Sequence, residues 1–264
     1  MFIDNHCHLE VYNDTDIEKI IKRARNNNVS IILNNSVDID VMKKNILLSK
    51  RYKEIKIAFG IYPIDALKLS KKELIDGMDF IKKNKDKIIA IGEVGIDLKK
   101  SKEFERQKET FIMFIRLSKE LDLPLIVHSR NAEEKVIEIL EKEKAKKVVM
   151  HCFLGKLELV KRIIKNNWYF SIPTNICYNK ELQDAVKVIP LESLFCETDS
   201  PFLHPKKGER NNEPANVIFA YKKISEIKNL EIVEVEKQIQ ENFSRLFKMH
   251  FLKLQLKLRI PLLL

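Results

Sequence analysis

The stretch IIAIGEVG at residues 88–95 is a run of apolar residues that ends directly at an acidic side chain, Glu93. A short apolar run without alternation is typical of a strand that is buried on both faces, as strands of a parallel sheet are. Glu93 therefore follows a predicted buried strand. The neighbouring glycines, Gly92 and Gly95, indicate that the backbone passes close to another group at this point.

The same kind of run recurs along the chain and predicts eight strands. The runs lie at residues 2–4, 30–33, 56–59, 88–91, 124–127, 147–150, 169–172 and 194–196. Longer charged stretches with helical spacing separate them, as between residues 104 and 121. Ser70 and Glu73 have the spacing of a capping box and predict the start of another helix.

Eight strands that alternate with helices favour a closed parallel barrel over an open doubly wound sheet. A flavodoxin-like sheet would need fewer strands and a glycine loop for phosphate, and neither GxGxxG nor GxxxxGK[ST] occurs in the chain. We therefore predict the α/β class and a single TIM-type (β/α)8 barrel over residues 1–250. Residues 251–264 form a separate C-terminal tail of unknown role, with an edge strand, a partner-binding segment and a disordered end all open.

The composition indicates a globular protein with an excess of positive charge. The chain has 264 residues, of which 45% are hydrophobic, and a formal charge of +10, which favours anionic partners such as nucleic acid. We find no signal peptide and no window of about 18 apolar residues, so we expect no membrane span. Four cysteines without a CxxC pair are typical of reduced thiols in a cytoplasmic protein. We expect a monomer, because no apolar stripe stands apart from the barrel helices.

Six side chains able to bind metal fall at the predicted strand ends. They are His6 and His8 after the first strand, Glu93 after the fourth, His128 at the end of the fifth, His151 at the end of the sixth and Asp199 after the eighth. In a (β/α)8 barrel the carboxyl ends of all strands meet at one rim, where catalytic groups lie. Taken singly, each residue has an ordinary structural explanation, such as a salt bridge or a helix cap. Their shared position favours a metal centre.

These residue types point to divalent metal ions. Imidazoles combined with carboxylates bind Zn, Mn, Ni or Fe, and carboxylate-rich sites also accept Mg. Glu93 can bridge two ions about 3.5–4 Å apart, as in two-metal hydrolases. The other five residues divide into two sets, His6, His8 and Asp199 for one ion and His128 with His151 for the other. The HxH spacing suits this arrangement because residues i and i+2 of a strand project to the same face.

An ordered set of motifs resembles the TatD-type metal-dependent hydrolases, also called TatD-related deoxyribonucleases. The motifs are DNHCHL at residues 4–9, IGEVGID at 91–97, QKETF at 107–111, LPLIVHSR at 123–130, HCFLG at 151–155, ETDSPFL at 197–203, NEPAN at 212–216 and NFSRLF at 242–247. A lone HxH is a weak signal, but the ordered set is specific. The resemblance covers residues 3 to about 247, nearly the whole chain.

The resemblance implies an enzyme that hydrolyses phosphodiester bonds in DNA at a one- or two-metal centre, with 3′–5′ exonuclease action as one form of this activity. It implies that Glu93 bridges the ions and that Asp199 binds metal and accepts a proton from the attacking water, so both are catalytic candidates. The ions are open among Mg, Mn, Zn, Co and Ni. Arg130, beside His128, is a candidate clamp for a phosphate oxygen, with a surface ion pair as the alternative.

The chain departs from the family pattern near the predicted site. Many relatives carry GxHP after the third strand, where this chain has Tyr62 in GIYP. A tyrosine can donate a hydrogen bond, but its pKa of about 10 makes it a poor proton shuttle at neutral pH. Lys156 and His204 are further candidate substrate contacts that are also open to structural roles. The loop after Asp199 carries basic residues that either guide a nucleic-acid strand or form a solvated face, namely Lys206, Lys207 and Arg210.

Two other functions stay open. One is an amidohydrolase-like barrel that cleaves a small ester, lactone or amide, or an ester linked to nucleic acid. Many such enzymes bridge their metals with a carboxylated lysine of the fourth strand, whereas this strand supplies Glu93. The other is a nucleic-acid-binding protein that has lost catalysis, for which missing ligands are expected. All six ligands are present, so a metal-dependent nuclease ranks first.

Overall fold

Within residues 1–249, which the computed structural model describes, eight parallel strands form one sheet in which each strand pairs with the next along the chain. The strands are β1 (Phe2–Cys7), β2 (Val29–Asn35), β3 (Ile55–Phe59), β4 (Ala90–Asp97), β5 (Leu125–Arg130), β6 (Val148–His151), β7 (Tyr169–Pro173) and β8 (Leu194–Glu197). A bridge between Cys7 and Ser200 brings the end of the sheet back to its beginning. The predicted TIM-type barrel is confirmed.

Helices connect the strands and cover the outside of the barrel. They are α1 (Asp14–Asn26), α2 (Ile39–Arg51), α3 (Pro63–Ala66), α4 (Lys71–Lys83), α5 (Phe104–Leu121), α6 (Glu133–Lys142), α7 (Leu157–Lys165), α8 (Lys180–Val188), α9 (Ile218–Lys228) and α10 (Ile232–Phe247). The predicted capping box is confirmed, because the Ser70 hydroxyl accepts from Glu73 N and the Glu73 carboxylate accepts from Ser70 N. This reciprocal pair satisfies two backbone donors at the start of α4.

No helix in residues 1–249 combines the length and the apolar character needed to cross a lipid bilayer. The predicted tail, residues 251–264, and residue 250 of the predicted barrel lie outside the described residues. The three roles that are open for this tail therefore stay predictions.

Several strands continue beyond the ends that their apolar residues predict, β1 and β4 among them. The apolar residues predict ends at residues 4 and 91, whereas β1 runs to Cys7 and β4 to Asp97. The added residues include His6 and Glu93, whose exposed fractions are 0% and 3%. Polar residues can continue the strands here because they have polar partners inside the barrel mouth. A pattern of hydrophobic residues gives no information on such partners. Both residues thus lie within strands and not in the loops that follow.

A side chain helps to close the seam between β1 and β8. Asp4 is fully buried, and its two carboxylate oxygens accept hydrogen bonds from the backbone N (2.8 Å) and the hydroxyl (2.6 Å) of Thr198. Next to this pair, Asp199 N donates to His6 O over 2.9 Å. Closure of the barrel therefore also places Asp199 beside the HxH pair.

Tyr221 in α9 ties an outer helix to β1. Its buried hydroxyl accepts from Ile3 N at 3.1 Å and donates to Ile3 O at 3.2 Å. We expect Tyr221→Phe to lower the free energy of unfolding by about 1–3 kcal/mol, because two buried backbone groups lose a partner. Urea unfolding measures this change, with the half-exposed Tyr178→Phe as a control expected to stay within about 0.5 kcal/mol. Equal unfolding midpoints for the two variants would contradict the prediction.

Candidate metal centre

The mouth of the barrel brings five of the six predicted ligands together. His6 lies in β1 and His8 directly after it, Glu93 lies in β4, His151 ends β6, and Asp199 follows β8. Each strand delivers its side chain to the same rim, as the barrel predicts. The five side chains form two overlapping groups of three, in which all ligand atoms lie within 4.8 Å of one another.

The first group consists of His6, His8 and Asp199. The two Nε2 atoms lie 3.1 Å apart, and Asp199 Oδ1 is 3.7 Å from that of His6 and 3.5 Å from that of His8. Ligand atoms at about 2.1 Å from one ion are about 3.0–3.4 Å apart in octahedral or tetrahedral geometry. The observed spacings are close to these values. The group therefore fits one divalent ion, and it is the set predicted for the first site.

The second group joins Glu93 to His6 and His151. Glu93 Oε2 lies 3.5 Å from His6 Nε2, and Glu93 Oε1 lies 3.8 Å from His151 Nε2. The two imidazole rings stack with their centroids 3.7 Å apart. The sequence predicts His128 as the partner of His151, and in this group of three the second imidazole is that of His6. His6 thus belongs to both groups.

His128 stands at the side of this cluster. Its Nδ1 lies 2.6 Å from Glu93 Oε1, and its Nε2 lies 3.3 Å from Asp97 Oδ2. Its ring centroid is 6.2 Å from that of His151. The imidazole is held between two carboxylates and contacts the cluster through Glu93.

Three of the histidines have a further carboxylate at the ring nitrogen that faces away from the cluster. The pairs are His8 with Glu10 (Nδ1 to Oε1, 3.2 Å), His151 with Glu197 (Nδ1 to Oε1, 2.8 Å) and His128 with Asp97 (Nε2 to Oδ2, 3.3 Å). Such a carboxylate fixes the ring orientation and makes the other nitrogen a better metal ligand. None of the three carboxylates is predicted from the sequence, although each lies within four residues of a predicted ligand.

Buried amide side chains hold the backbone beneath the cluster. Glu93 N donates to Ser36 O at 3.1 Å, and the Ser36 hydroxyl accepts from Asn45 at 3.0 Å. Asn45 in turn accepts from Asn34, whose Oδ1 accepts from Leu9 N at 2.7 Å. A chain of hydrogen bonds therefore links the backbone that follows the HxH pair to the strand that carries Glu93.

At the glycines next to Glu93 the backbone of β4 passes close to β5, as the sequence indicates. A Cβ on Gly92 would lie 2.5 Å from Ile126 Cβ, and one on Gly95 would lie 2.0 Å from His128 O. Gly95 also has φ +151°, a conformation that residues with side chains rarely adopt. Both positions thus require glycine for β4 to pack against β5.

Burial and mutual contact set the charges in the cluster. Burial, helped by His151, lowers the pKa of His6 to about 3, so this imidazole is neutral. Burial alone would raise the pKa of Glu93, but the imidazoles, His128 foremost, hold it well below its usual range. Burial alone would lower the pKa of His151, but Glu197 and other carboxylates raise it to about 9. An ion that binds here therefore has to displace a proton from His151 at neutral pH.

The four predicted substrate contacts lie in different surroundings. Tyr62 packs its ring edge against His128, with centroids 5.0 Å apart, and donates its hydroxyl to Asp97. Arg130 is exposed at the end of β5. Lys156 lines a cleft of about 520 Å³ that three carboxylates also line, and His204 Nδ1 accepts from a backbone N–H of its own loop. Of the four, Tyr62 directly contacts a predicted ligand.

Comparison with known proteins identifies the family. The sequence model of the TatD related DNase family matches residues 3–248. The chain belongs to the TatD-related DNase family. It is 37% identical to the metal-dependent hydrolase YabD of Bacillus subtilis, over 95% of this chain and 100% of that protein. It is 32% identical to the deoxyribonuclease TATDN3 of Homo sapiens, over 93% of this chain and 94% of that protein.

A solved TatD structure shows the same fold. The TatD homologue YJJV of Escherichia coli superimposes with a TM-score of 0.89 at 26% identity, covering 94% of this chain and 98% of that one. The predicted TatD family is confirmed, and with it the prediction of a metal-dependent hydrolase.

Proposed function

We propose that this TatD-family hydrolase is a metal-dependent deoxyribonuclease, with 3′–5′ exonuclease action as part of the proposal. The observation that carries the proposal is the convergence of three imidazoles and two carboxylates at the barrel mouth, of which only Asp199 is partly exposed. Relatives that are named deoxyribonucleases support DNA as the substrate. The net charge of +10 also suits a polyanion.

We assign one or two divalent ions to the cluster, with Mg, Mn, Zn, Co and Ni as candidates. The neutral imidazole of His6 and the ionised carboxylates have the donor chemistry that these ions need. The proposed ligands are His6, His8 and Asp199 for one ion and His128 and His151 for the other, with Glu93 as the bridge between them and His6 also near the second set. Bound ions of this kind polarise phosphate and lower the pKa of water.

Asp199 is the proposed proton acceptor. Its side chain is 15% exposed against 4% for Glu93, so solvent reaches Asp199 more readily. Burial alone would raise the pKa of Asp199, but His8 and His151 lower it, which keeps the carboxylate ionised at neutral pH. An ionised carboxylate at the open side of the cluster can take the proton of the attacking water. Glu93, which is more deeply buried, holds the cluster together.

Exposed basic residues around the mouth are proposed to contact the DNA backbone. They are Arg130 at the end of β5 and Lys206, Lys207 and Arg210 in the loop after Asp199. Phosphate contacts of this kind position a strand without reading its sequence. We further propose a monomer in the cytoplasm, and the four free cysteines are consistent with a reducing compartment.

Metal removal tests the proposed activity. We expect metal-stripped protein to leave end-labelled DNA intact, and single additions of Mg, Mn, Zn, Co or Ni to restore cleavage. The Glu93→Ala/Asp199→Ala variant should lose at least about 10³-fold in rate under every ion, because both carboxylates of the cluster are gone. The ladder of products on a gel separates removal of nucleotides from an end from internal cleavage.

A matched variant controls for nonspecific damage. Glu105→Ala/Asp184→Ala removes two exposed carboxylates from α5 and α8 and should cleave like the unmodified protein. Metal binding without cleavage of single- or double-stranded DNA under any ion would disprove the nuclease proposal. Small esters, lactones and amides would then be the next substrates to screen.

A further inference from the structure

The hydroxyl group of Tyr62 faces the protein. It donates to Asp97 Oδ2 over 2.6 Å. The residue itself is fixed at the start of α3, because Tyr62 N donates to Val37 O and Ala66 N donates to Tyr62 O, both at 2.9 Å. A tyrosine hydroxyl has a single proton, so one that is donated to Asp97 is not available to a phosphate.

Asp97 is fully buried and joins Tyr62 to His128. Its Oδ1 accepts from the backbone N of Lys99 and of Lys100, both at 2.9 Å. Its Oδ2 accepts from Tyr62 and lies 3.3 Å from His128 Nε2. The backbone fixes Oδ1 of Asp97. The hydrogen bond from Tyr62 therefore sets the orientation of Oδ2 toward the imidazole of His128.

His128 lies between two carboxylates that attract opposite sides of its ring. Its Nδ1 is 2.6 Å from Glu93 Oε1. The Tyr62 ring packs edge-on against the imidazole at an interplanar angle of 75°, and Lys100 Nζ lies 4.8 Å above the Tyr62 ring. This cation–π contact restrains the tyrosine from its outer side. Tyr62 therefore restrains His128 both directly and through Asp97.

We propose that Tyr62 is a positioning residue that acts through Asp97 to hold His128 against Glu93. This inference rests on the proposed metal centre. Without the hydroxyl, Asp97 Oδ2 loses one of its two contacts, so the carboxylate can turn about its backbone-held oxygen and the imidazole can move away from Glu93. The effect falls on metal binding and turnover, whereas a phosphate contact by Tyr62 would act on substrate affinity.

Tyr62→Phe isolates the hydroxyl, because the ring contact with His128 remains. In calorimetric titration of metal-stripped protein with Mn²⁺, we expect Kd to rise about 10-fold, at the lower end of the range for outer contacts of metal-binding histidines. We expect kcat for DNA cleavage to fall by a similar factor, with KM unchanged. Tyr169→Phe is the matched control, because it loses a hydroxyl bonded to Arg245 at the opposite end of the barrel, and it should change neither quantity.

A double-mutant cycle tests the path through Asp97. In an Asp97→Asn background, Tyr62→Phe should have little further effect on the Mn²⁺ Kd, because the two residues act as one unit. If Asp97→Asn does not fold, the Mn²⁺ Kd and kcat of Tyr62→Phe alone still test the inference. A raised KM with an unchanged Mn²⁺ Kd, or no change in either, would overturn the inference. If the unmodified protein binds Mn²⁺ but cuts no DNA, the nuclease proposal fails while the titration still tests Tyr62.

Discussion

Replacement of His6 by alanine is expected to remove bound metal more completely than replacement of any other single histidine. His6 Nε2 lies 3.5 Å from Glu93 Oε2 and 3.7 Å from Asp199 Oδ1, and its ring stacks on that of His151, so His6 takes part in both groups. Loss of this imidazole leaves two ligand atoms in each group of three, so each ion keeps a third proposed ligand only from Glu93 or His128, and both sites weaken. We expect cleavage to fall at least about 10³-fold, more than the loss of a single oxyanion donor costs other hydrolases.

His8→Ala is the matched comparison for this prediction. It removes a buried imidazole from the first group and leaves the three atoms of the second group in place. Equilibrium dialysis followed by elemental analysis should therefore find more metal in His8→Ala than in His6→Ala. Thermal unfolding of the metal-stripped variants checks that both are folded. Equal metal content in the two folded variants would show that the groups do not share His6.

Glu197→Gln is expected to weaken metal binding about 10–100-fold, the range found for carboxylates that support metal-binding histidines. Glu197 is fully buried, and its Oε1 lies 2.8 Å from His151 Nδ1. Glutamine keeps the size of the side chain but removes the charge that orients and polarises the imidazole. The change also removes the main cause of the raised pKa of His151. A metal ion then has less proton to displace from this imidazole, which offsets part of the loss in metal affinity.

Titration with Mn²⁺ or Zn²⁺ at neutral pH measures this effect. Glu105→Gln, an exposed residue of α5, is the matched control and should bind metal like the unmodified protein. Tighter binding in Glu197→Gln would mean that proton competition outweighs orientation. In that case the contact with His151 would not support the site.

The barrel was predictable because its apolar strands interrupt charged helices along the whole chain. In β6, β7 and β8, hydrophobic residues continue almost to the end of each strand, so the predicted ends agree with the observed ones to within one residue. The predicted ends of β1 and β4 lie too early because polar residues complete these two strands. A pattern based on hydrophobicity cannot tell a polar residue inside a barrel mouth from one in a loop.

The positions of the ligands were also predictable, since any side chain at the carboxyl end of a barrel strand reaches the same rim. The supporting carboxylates were not. Glu10 and Glu197 stand two residues from a predicted ligand, and Asp97 stands four residues from Glu93, among many other acidic residues of the chain. The role of these carboxylates depends on which ring nitrogen of a histidine they contact. That contact is set by the orientation of side chains in the folded protein.

By itself, the sequence of this TatD-family chain determined the alternation of strands and helices and the six side chains at the rim. Only the tertiary structure decided how these side chains combine. The stagger of the strands and the seam between β1 and β8 bring His6 next to Asp199 and Glu93 and leave His128 beside Asp97. Such neighbours come from strands far apart in the chain, and their distances follow from barrel closure, which no local pattern of residues encodes.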